Sequence, residues 1–183
     1  MDNLIYECLN NGYKTKRLIL RKLSIYDVDD MFEYTSDIRV CKYLNWGPHK
    51  SINETMDFIN KTIEKYMKPS DIVWGLEYNG KLIGVLRIYN INSDSGECDI
   101  SYVLSADYQG KGFMTEAVNA AIYTGFYILF LNKVNAYYID ENISSYNVMN
   151  RCKMMKSIDI NEEVIIKGKH HKLKRCEIRK DLI

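Results

Sequence analysis

The residues best placed to do chemistry lie in the stretch YQGKGFMTEA, positions 108–117. Gly110 and Gly112 flank Lys111 where an alternating apolar strand gives way to an apolar helix. A strand running into a glycine turn and a helix gathers free backbone N–H groups at one point, and the helix dipole adds partial positive charge there. An anion, above all a phosphate, is favoured at such a place. The glycines remove side chains that would hold a phosphate off those N–H groups. Lys111 adds charge at the rim, and the hydroxyl of Thr115 offers one more hydrogen bond. The alternative is a tight turn with no ligand. Two other phosphate loops fit poorly. No G-x-x-x-x-G-K-[ST] occurs, and in GKGFMT the third glycine position of G-x-G-x-x-G is held by Thr115. The strand before the turn also belongs to a meander rather than opening a βαβ unit.

Such a turn needs elements to hold it. RLILRKL, over 17–23, reads as a short strand. Ser24 with Asp27 has the spacing of a variant capping box for a helix to about residue 34. Ser51 with Glu54 opens another helix, in which Ile52, Met56, Ile59 and Ile63 repeat at helical spacing and which must stop near Pro69. Asn79-Gly80 between apolar runs predicts a two-residue hairpin joining strands over 72–78 and 81–91, because a type I′ turn needs positive φ at both central residues. Cys98, Ile100, Tyr102 and Leu104 then alternate with Asp99, Ser101 and Val103, the pattern of a half-buried strand. After the glycine turn come a helix over 115–130, a strand in KVNAYYI, a short helix capped by Ser144 or Ser145, and a closing hairpin around Gly168. The order β-α-α-β-β-β-α-β-α-β-β predicts an α/β chain of the α+β type, a mixed sheet with flanking helices and not a doubly wound fold.

Composition bounds the function. At 183 residues the chain is expected to form one domain over 1–183. With 46% hydrophobic and 27% charged residues it has material for a core, and a net charge of +1 gives no basic excess for binding nucleic acid. KGKHHKLKR is locally basic, either as a solvated hairpin or as a surface for an acidic ligand or partner. Five cysteines, widely spaced and without C-x-x-C, suggest neither a zinc site nor a disulfide framework, and His49, His170 and His171 join them in no ligand spacing. No metal is expected. Reduced thiols and an N-terminus without a signal-peptide pattern point to the cytoplasm. AAIYTGFYILFL has the length of a core helix rather than a membrane span.

YVLSADYQGKGFMTEAV resembles the acyl-CoA-binding motif of the GNAT acetyltransferase superfamily, [QR]-x-x-G-x-[GA] after a strand. Gln109 and Gly112 match, while Met114 replaces the small last residue. The resemblance is nearest to the RimJ/RimL-like subgroup that acetylates ribosomal-protein N-termini. TKRLILR at 15–21 is similar to its opening T-x-R-L-x-L-R strand, Ile83-Gly84 to its IG strand, and QGKGFMTEA to its QGKGxxTEA. Asn142, Ser145, Val148 and Met149 match a later N-x-x-S-x-x-V-M. The likeness spans nearly the whole chain in order. It implies a mostly antiparallel twisted sheet whose central strands splay to hold acetyl-CoA. The pyrophosphate would lie on the backbone of Gln109, Gly110, Lys111, Gly112, Phe113, Met114 and Thr115. Pantetheine would bond the main chain of Val103 and Leu104, with Asn142 on its other side.

Acetyl transfer needs a neutral amine, a polarised thioester carbonyl and a proton for the departing thiolate. Asp99 and Glu97, on one face of the central strand, are the carboxylates for the base, or else solvated charges at a strand start. A backbone N–H near Val103 would polarise the carbonyl. Met149 stands where many members of the family have an acidic tyrosine, so Ser145 is expected as proton donor, with Tyr146 second. Ser145 also suits a helix cap. Lys153 replaces the family's usual glycine. The acceptor should enter opposite CoA, between the first helices and the closing hairpin. There Trp46 is a wall, His49 shares its loop, Arg87 lies on a strand beside the cleft, and Trp74 is expected to pack in the core. The acceptor is a peptide N-terminus or a small amine such as a polyamine or amino-sugar, for a monomer or homodimer. An acyl-CoA-binding regulator without turnover is the rival of another class, and a nucleotide-binding domain a third.

Overall fold

The computed structural model describes residues 9, 12–66, 71–157 and 162–182. A short hairpin of β1 (Tyr13–Lys14) and β2 (Ile19–Arg21) is followed by α1 (Val28–Thr35), α2 (Ile38–Cys41) and α3 (Ile52–Lys65). The chain continues through β3 (Ile72–Tyr78), β4 (Lys81–Asn92), β5 (Glu97–Leu104), α4 (Phe113–Tyr123) and β6 (Lys133–Ile139). It closes with α5 (Ile143–Arg151), β7 (Met155–Lys156), β8 (Glu162–Ile166) and β9 (Lys169–Arg179). The strands form one sheet in the order β1-β2-β3-β4-β5-β6-β9-β7, with β8 paired to β9. Every neighbouring pair is antiparallel except β5 with β6. The mixed sheet expected from the pattern is the sheet observed.

The hairpin at Asn79-Gly80 forms as its residues demand, with φ of 51° and 78° and Tyr78 paired to Lys81. Alternation along β5 then divides the sheet into two faces. Cys98, Ile100 and Leu104 join a core with Phe113, Ala117, Val118 and Ala121 of α4, while Val103 and Val85 pack on Leu23, Met31 and Ile59 beneath the first helices. Trp74 is fully buried in the first of these cores, its indole N–H donating to the Leu9 carbonyl at 2.9 Å. One register shift interrupts the β3–β4 ladder, where Leu82 faces Glu77 but Gly84 faces Leu76. The Leu82 N–H at this bulge is satisfied by Asp30 of α1 at 2.8 Å. Gly84 lies so close to β5 that a Cβ there would come within 2.4 Å of the Val103 carbonyl oxygen. Only glycine lets the two strands approach at that point.

Several local expectations change. The Ser24–Asp27 box forms, with Ser24 N–H bonding Asp27 at 2.7 Å, but a 3-10 turn over Ile25–Asp27 precedes α1. At α3 it is the Lys50 N–H that bonds Glu54, at 3.0 Å, and the Ser51 side chain makes no cap bond. Ile52 is 40% exposed, and Thr55 is buried instead, bonded to Thr35 and His49. The helix ends at Lys65, and Pro69 lies outside the described residues. The helix predicted to reach residue 130 widens into a π turn over Thr124–Ile128, which brings Gly125 against β6 where a Cβ would meet Val134 at 2.9 Å. Neither Ser144 nor Ser145 caps α5. The cap is Asn142, whose Oδ1 accepts from the Ser145 N–H at 3.2 Å. The closing hairpin is more than a solvated ribbon: at its tip Lys167 donates to the Cys41 carbonyl of α2 at 2.6 Å.

The parallel ladder of β5 and β6 stops at Ile100 with Ala136. β5 goes on beside β4 as far as Leu104 with Gly84, and β6 goes on beside β9 as far as Ile139 with Leu173. Two strands that stop pairing but keep their other partners must diverge. The wedge leaves the β5 backbone beyond Ile100 without β6 to bond, which positions the site.

Candidate acyl-transfer site

The wedge opens into a cleft of about 510 Å³. Val103, Leu104, Gln109, Gly110, Gly112, Phe113, Met114, Thr115, Asn142 and Ser145 all line it. Residues from the end of β5, the glycine turn, the start of α4 and the start of α5 thus meet around one space, although they are spread over 43 positions of the chain. Gly110 and Gly112 adopt φ of 74° and 80°, the left-handed region that glycine enters without strain. A Cβ on Gly110 would meet no protein atom within 4 Å, so packing does not exclude a side chain there. The conformation does, and so would anything seated on the turn. Gln109 steadies the turn by donating to the Leu104 carbonyl at 3.1 Å. The Thr115 hydroxyl is buried without a partner among the described residues, which fits a hydroxyl awaiting a ligand oxygen. Lys111 is exposed outside the cleft lining, its ammonium over the Tyr108 ring.

The proposed catalytic residues separate. Ser145 sits on the cleft wall, its Oγ 3.0 Å from the Tyr102 hydroxyl, which also bonds the Ser145 carbonyl at 3.0 Å. Burial pushes the Tyr102 hydroxyl upward, so it stays protonated. Tyr146 instead stacks on Tyr138, ring centroids 5.5 Å apart, outside the cleft lining. Asp99 pairs with Asn135, one residue before the ladder ends, and so stands at the vertex of the wedge, though neither it nor Glu97 lines the cleft. It accepts from Asn90 at 2.8 Å, and among the described residues no cation pairs with it. Glu97 lies two residues further back, roughly 7 Å at the usual strand rise. Lys133 is its ion-pair partner and holds its carboxyl below the usual range.

Trp46, expected as a wall for the acceptor, packs half-buried on the core beneath the first helices instead, tilted on His49 at 5.2 Å and outside the cleft lining. Burial lowers the His49 pKa. Arg87 forms an ion pair with Asp71 and lies over the Tyr89 ring at 4.7 Å, away from the cleft lining. Three cations on the wall, Arg39, Lys42 and Arg151, went unnoticed in the sequence, as did Tyr102. Tyr102 had a signal: a tyrosine in the buried register of β5 needs a partner for its hydroxyl. Among the described residues no group of three or more His, Cys, Asp or Glu side chains is placed to hold a metal. Cys41, Cys98, Cys152 and Cys176 are buried free thiols, and Cys8 lies outside the described residues. No helix among the described residues is long and apolar enough to cross a membrane.

A phosphate-ready turn beside a splayed parallel pair is what acyl-CoA transfer would use. The family model for an acetyltransferase (GNAT) domain matches residues 17–155. The chain belongs to the GNAT acetyltransferase family. An uncharacterized N-acetyltransferase, p20, of Bacillus licheniformis is 32% identical over 78% of this chain and 81% of its own. A putative ribosomal N-acetyltransferase of Bacillus subtilis, YdaF, is 25% identical over 92% of each chain. Among solved structures, spermidine N-acetyltransferase from Vibrio cholerae in complex with CoA and spermine superposes with a TM-score of 0.74. It is 25% identical and covers 90% of this chain and 96% of that one. This GNAT protein is therefore an acyltransferase with acetyl-CoA as donor, and its fold is the open mixed sheet of its structural neighbours.

Proposed function

We propose that the protein is a RimJ/RimL-like N-acetyltransferase whose acceptor is a peptide N-terminus of the ribosomal-protein type. The carrying observation is the charge around the reaction centre. The cleft wall has Lys42 and Arg151, besides an Arg39 already paired with Asp37 and Asp107, against a single acid, Glu141. Those cations suit the phosphates of the donor and oppose an acceptor carrying several ammonium groups. A peptide α-amine, with an ordinary pKa near 7.7–8.0, is also far easier to deprotonate at neutral pH than an alkyl amine near 10.4. One carboxylate at the vertex is enough for it. The relatives include a putative ribosomal acetyltransferase and a spermidine acetyltransferase, so small amines are the second reading.

In this reading the backbone from Gln109 to Thr115 holds the pyrophosphate. The free edge of β5 at Val103 and Leu104 takes the amides of pantetheine as a strand would, and Asn142 lines the opposite side. Asp99, through water, receives the amine proton, and the Ser145 hydroxyl gives a proton to the departing sulfur. Tyr102 turns its one O–H from the Ser145 carbonyl to Ser145 Oγ, both 3.0 Å away, which frees the serine proton for the sulfur and replaces it once given, and water returns a proton to Tyr102. Trp46 and Arg87 stand outside the cleft lining and take no direct part in this reading.

A CoA-release assay over N-terminal peptides, spermidine and glucosamine tests this. A peptide is expected to have the highest kcat/KM; spermidine or glucosamine leading would move the assignment to small amines. Tight acetyl-CoA binding with no turnover on any acceptor would leave a regulatory module. Ser145→Ala is expected to lower kcat about 100-fold, the low end of the usual range for a lost proton donor, with acetyl-CoA affinity nearly unchanged. Because Asn142 is the helix cap, the substitution does not uncap α5. Equal losses in kcat and affinity would reduce Ser145 to a ligand contact.

A further inference from the structure

The opening strand signature and the TEA that follows the glycine turn meet in one network, 99 positions apart in sequence. Glu116, in the first turn of α4, accepts from the Thr15 hydroxyl at 2.5 Å, the Arg17 N–H at 2.7 Å and the Arg17 Nε at 2.7 Å. The same guanidinium donates through Nη1 to the Lys111 carbonyl at 2.9 Å and covers the Phe113 ring at 4.3 Å. Thr15 is itself fixed, its hydroxyl oxygen accepting from the Leu18 N–H at 3.0 Å and its own N–H donating to the Leu18 carbonyl at 2.9 Å. One arginine thus ties the edge of the sheet to the glycine turn and to the helix behind it.

The bond to the Lys111 carbonyl has a geometric consequence. In a trans peptide the C=O of one residue and the N–H of the next point in opposite directions. Holding the Lys111 carbonyl toward Arg17 therefore aims the Gly112 N–H away from Arg17. Gly112 lines the cleft, whereas Arg17 does not. We propose that Arg17, braced by Glu116 and Thr15, is a positioning residue for acetyl-CoA: it locks the Lys111–Gly112 peptide so that the Gly112 N–H faces the phosphate. This rests on the reading that the pyrophosphate lies on this turn. The Arg17–Glu116 pair is neutral overall, so its contribution is orientation rather than added positive charge. Left without Arg17, Glu116 would put an unpaired carboxylate at the helix start where the phosphate binds.

The test compares two donors, acetyl-CoA and S-acetyl-pantetheine, which lacks the pyrophosphate. Arg17→Ala is expected to raise KM for acetyl-CoA about tenfold, roughly 1.4 kcal/mol, and to leave KM for acetyl-pantetheine within about twofold. Arg17→Lys is expected to resemble Arg17→Ala, because a lysine keeps the charge but cannot grip Glu116, Lys111 and the Phe113 ring together. Glu116→Gln should lose less than Arg17→Ala, since it leaves no stranded carboxylate. Equal losses on both donors would make Arg17 a general structural residue, and no loss on either would make the brace irrelevant. Full rescue by lysine would replace orientation with charge. If the unsubstituted enzyme uses both donors equally well, the pyrophosphate assignment itself fails, whatever the variants do.

Discussion

Arg21→Ala is expected to cost about 3–5 kcal/mol of folding stability, the usual result of stranding one member of a buried ion pair. The Asp27 side chain is only 5% exposed and is gripped bidentately by Arg21, at 2.7 Å and 2.9 Å. Through Nε the same guanidinium bonds Glu77 of β3 at 2.5 Å. Arg21 therefore joins the strand β2, the strand β3 and the cap of the first helical segment. Burial alone would raise the Asp27 carboxyl, but the bonds from Arg21 and Ser24 outweigh it and hold it below the usual range. A carboxylate with a depressed folded pKa contributes stability above its unfolded value, near 3.9, and loses it as pH falls through the folded one. In the variant the sign reverses: buried without a cation, Asp27 takes up its proton at higher pH than in the unfolded chain. The gap in stability between the two proteins should thus be full at pH 7 and close progressively in acid. Urea unfolding at pH 7 and near pH 4 measures it, and adding Asp27→Asn to the variant should recover much of the loss. A gap that does not change with pH would assign the effect to lost packing instead.

What the chain disclosed in advance was local. Asn79-Gly80 could be read because a two-residue hairpin imposes φ on those residues themselves. The glycine turn and the alternation of β5 were legible for the same reason. The site depends on pairings that no local window contains. The wedge exists because β5 and β6 part after Ile100 and Ala136, each held by another neighbour. Asp99 and Glu97 look alike from spacing, and only the register sets one at the vertex and the other against Lys133. Asn142, Ser144 and Ser145 are all good cap residues, and the choice fell to where the turn after β6 began. The bond between Tyr102 and Ser145 and the brace from Arg17 to Glu116 cross 43 and 99 positions. The family resemblance contained the residues of that brace, but not the fact that they touch.

Gly112→Asp should abolish most acetyl-CoA binding while leaving a folded protein. Gly112 is exposed and has φ of 80°, a conformation that costs other residues roughly 1–2 kcal/mol. Relieving that strain means turning the Lys111–Gly112 peptide away from the orientation the cleft needs. A Cβ there would also lie 3.4 Å from Arg17 Nη2, close enough for the new carboxylate to draw the guanidinium off Glu116 and the Lys111 carbonyl. The added negative charge then faces a pyrophosphate, and like charges at about 4 Å repel by roughly 1–4 kcal/mol between water and a protein surface. Together these terms predict a loss on the order of 100-fold or more, at about 1.4 kcal/mol per factor of ten. Gly112→Ala carries the strain without the charge and should lose on the order of tenfold. Titration calorimetry at two salt concentrations separates the two terms, since added salt weakens only the charge repulsion. Unchanged affinity in a folded aspartate variant would place the pyrophosphate away from this turn.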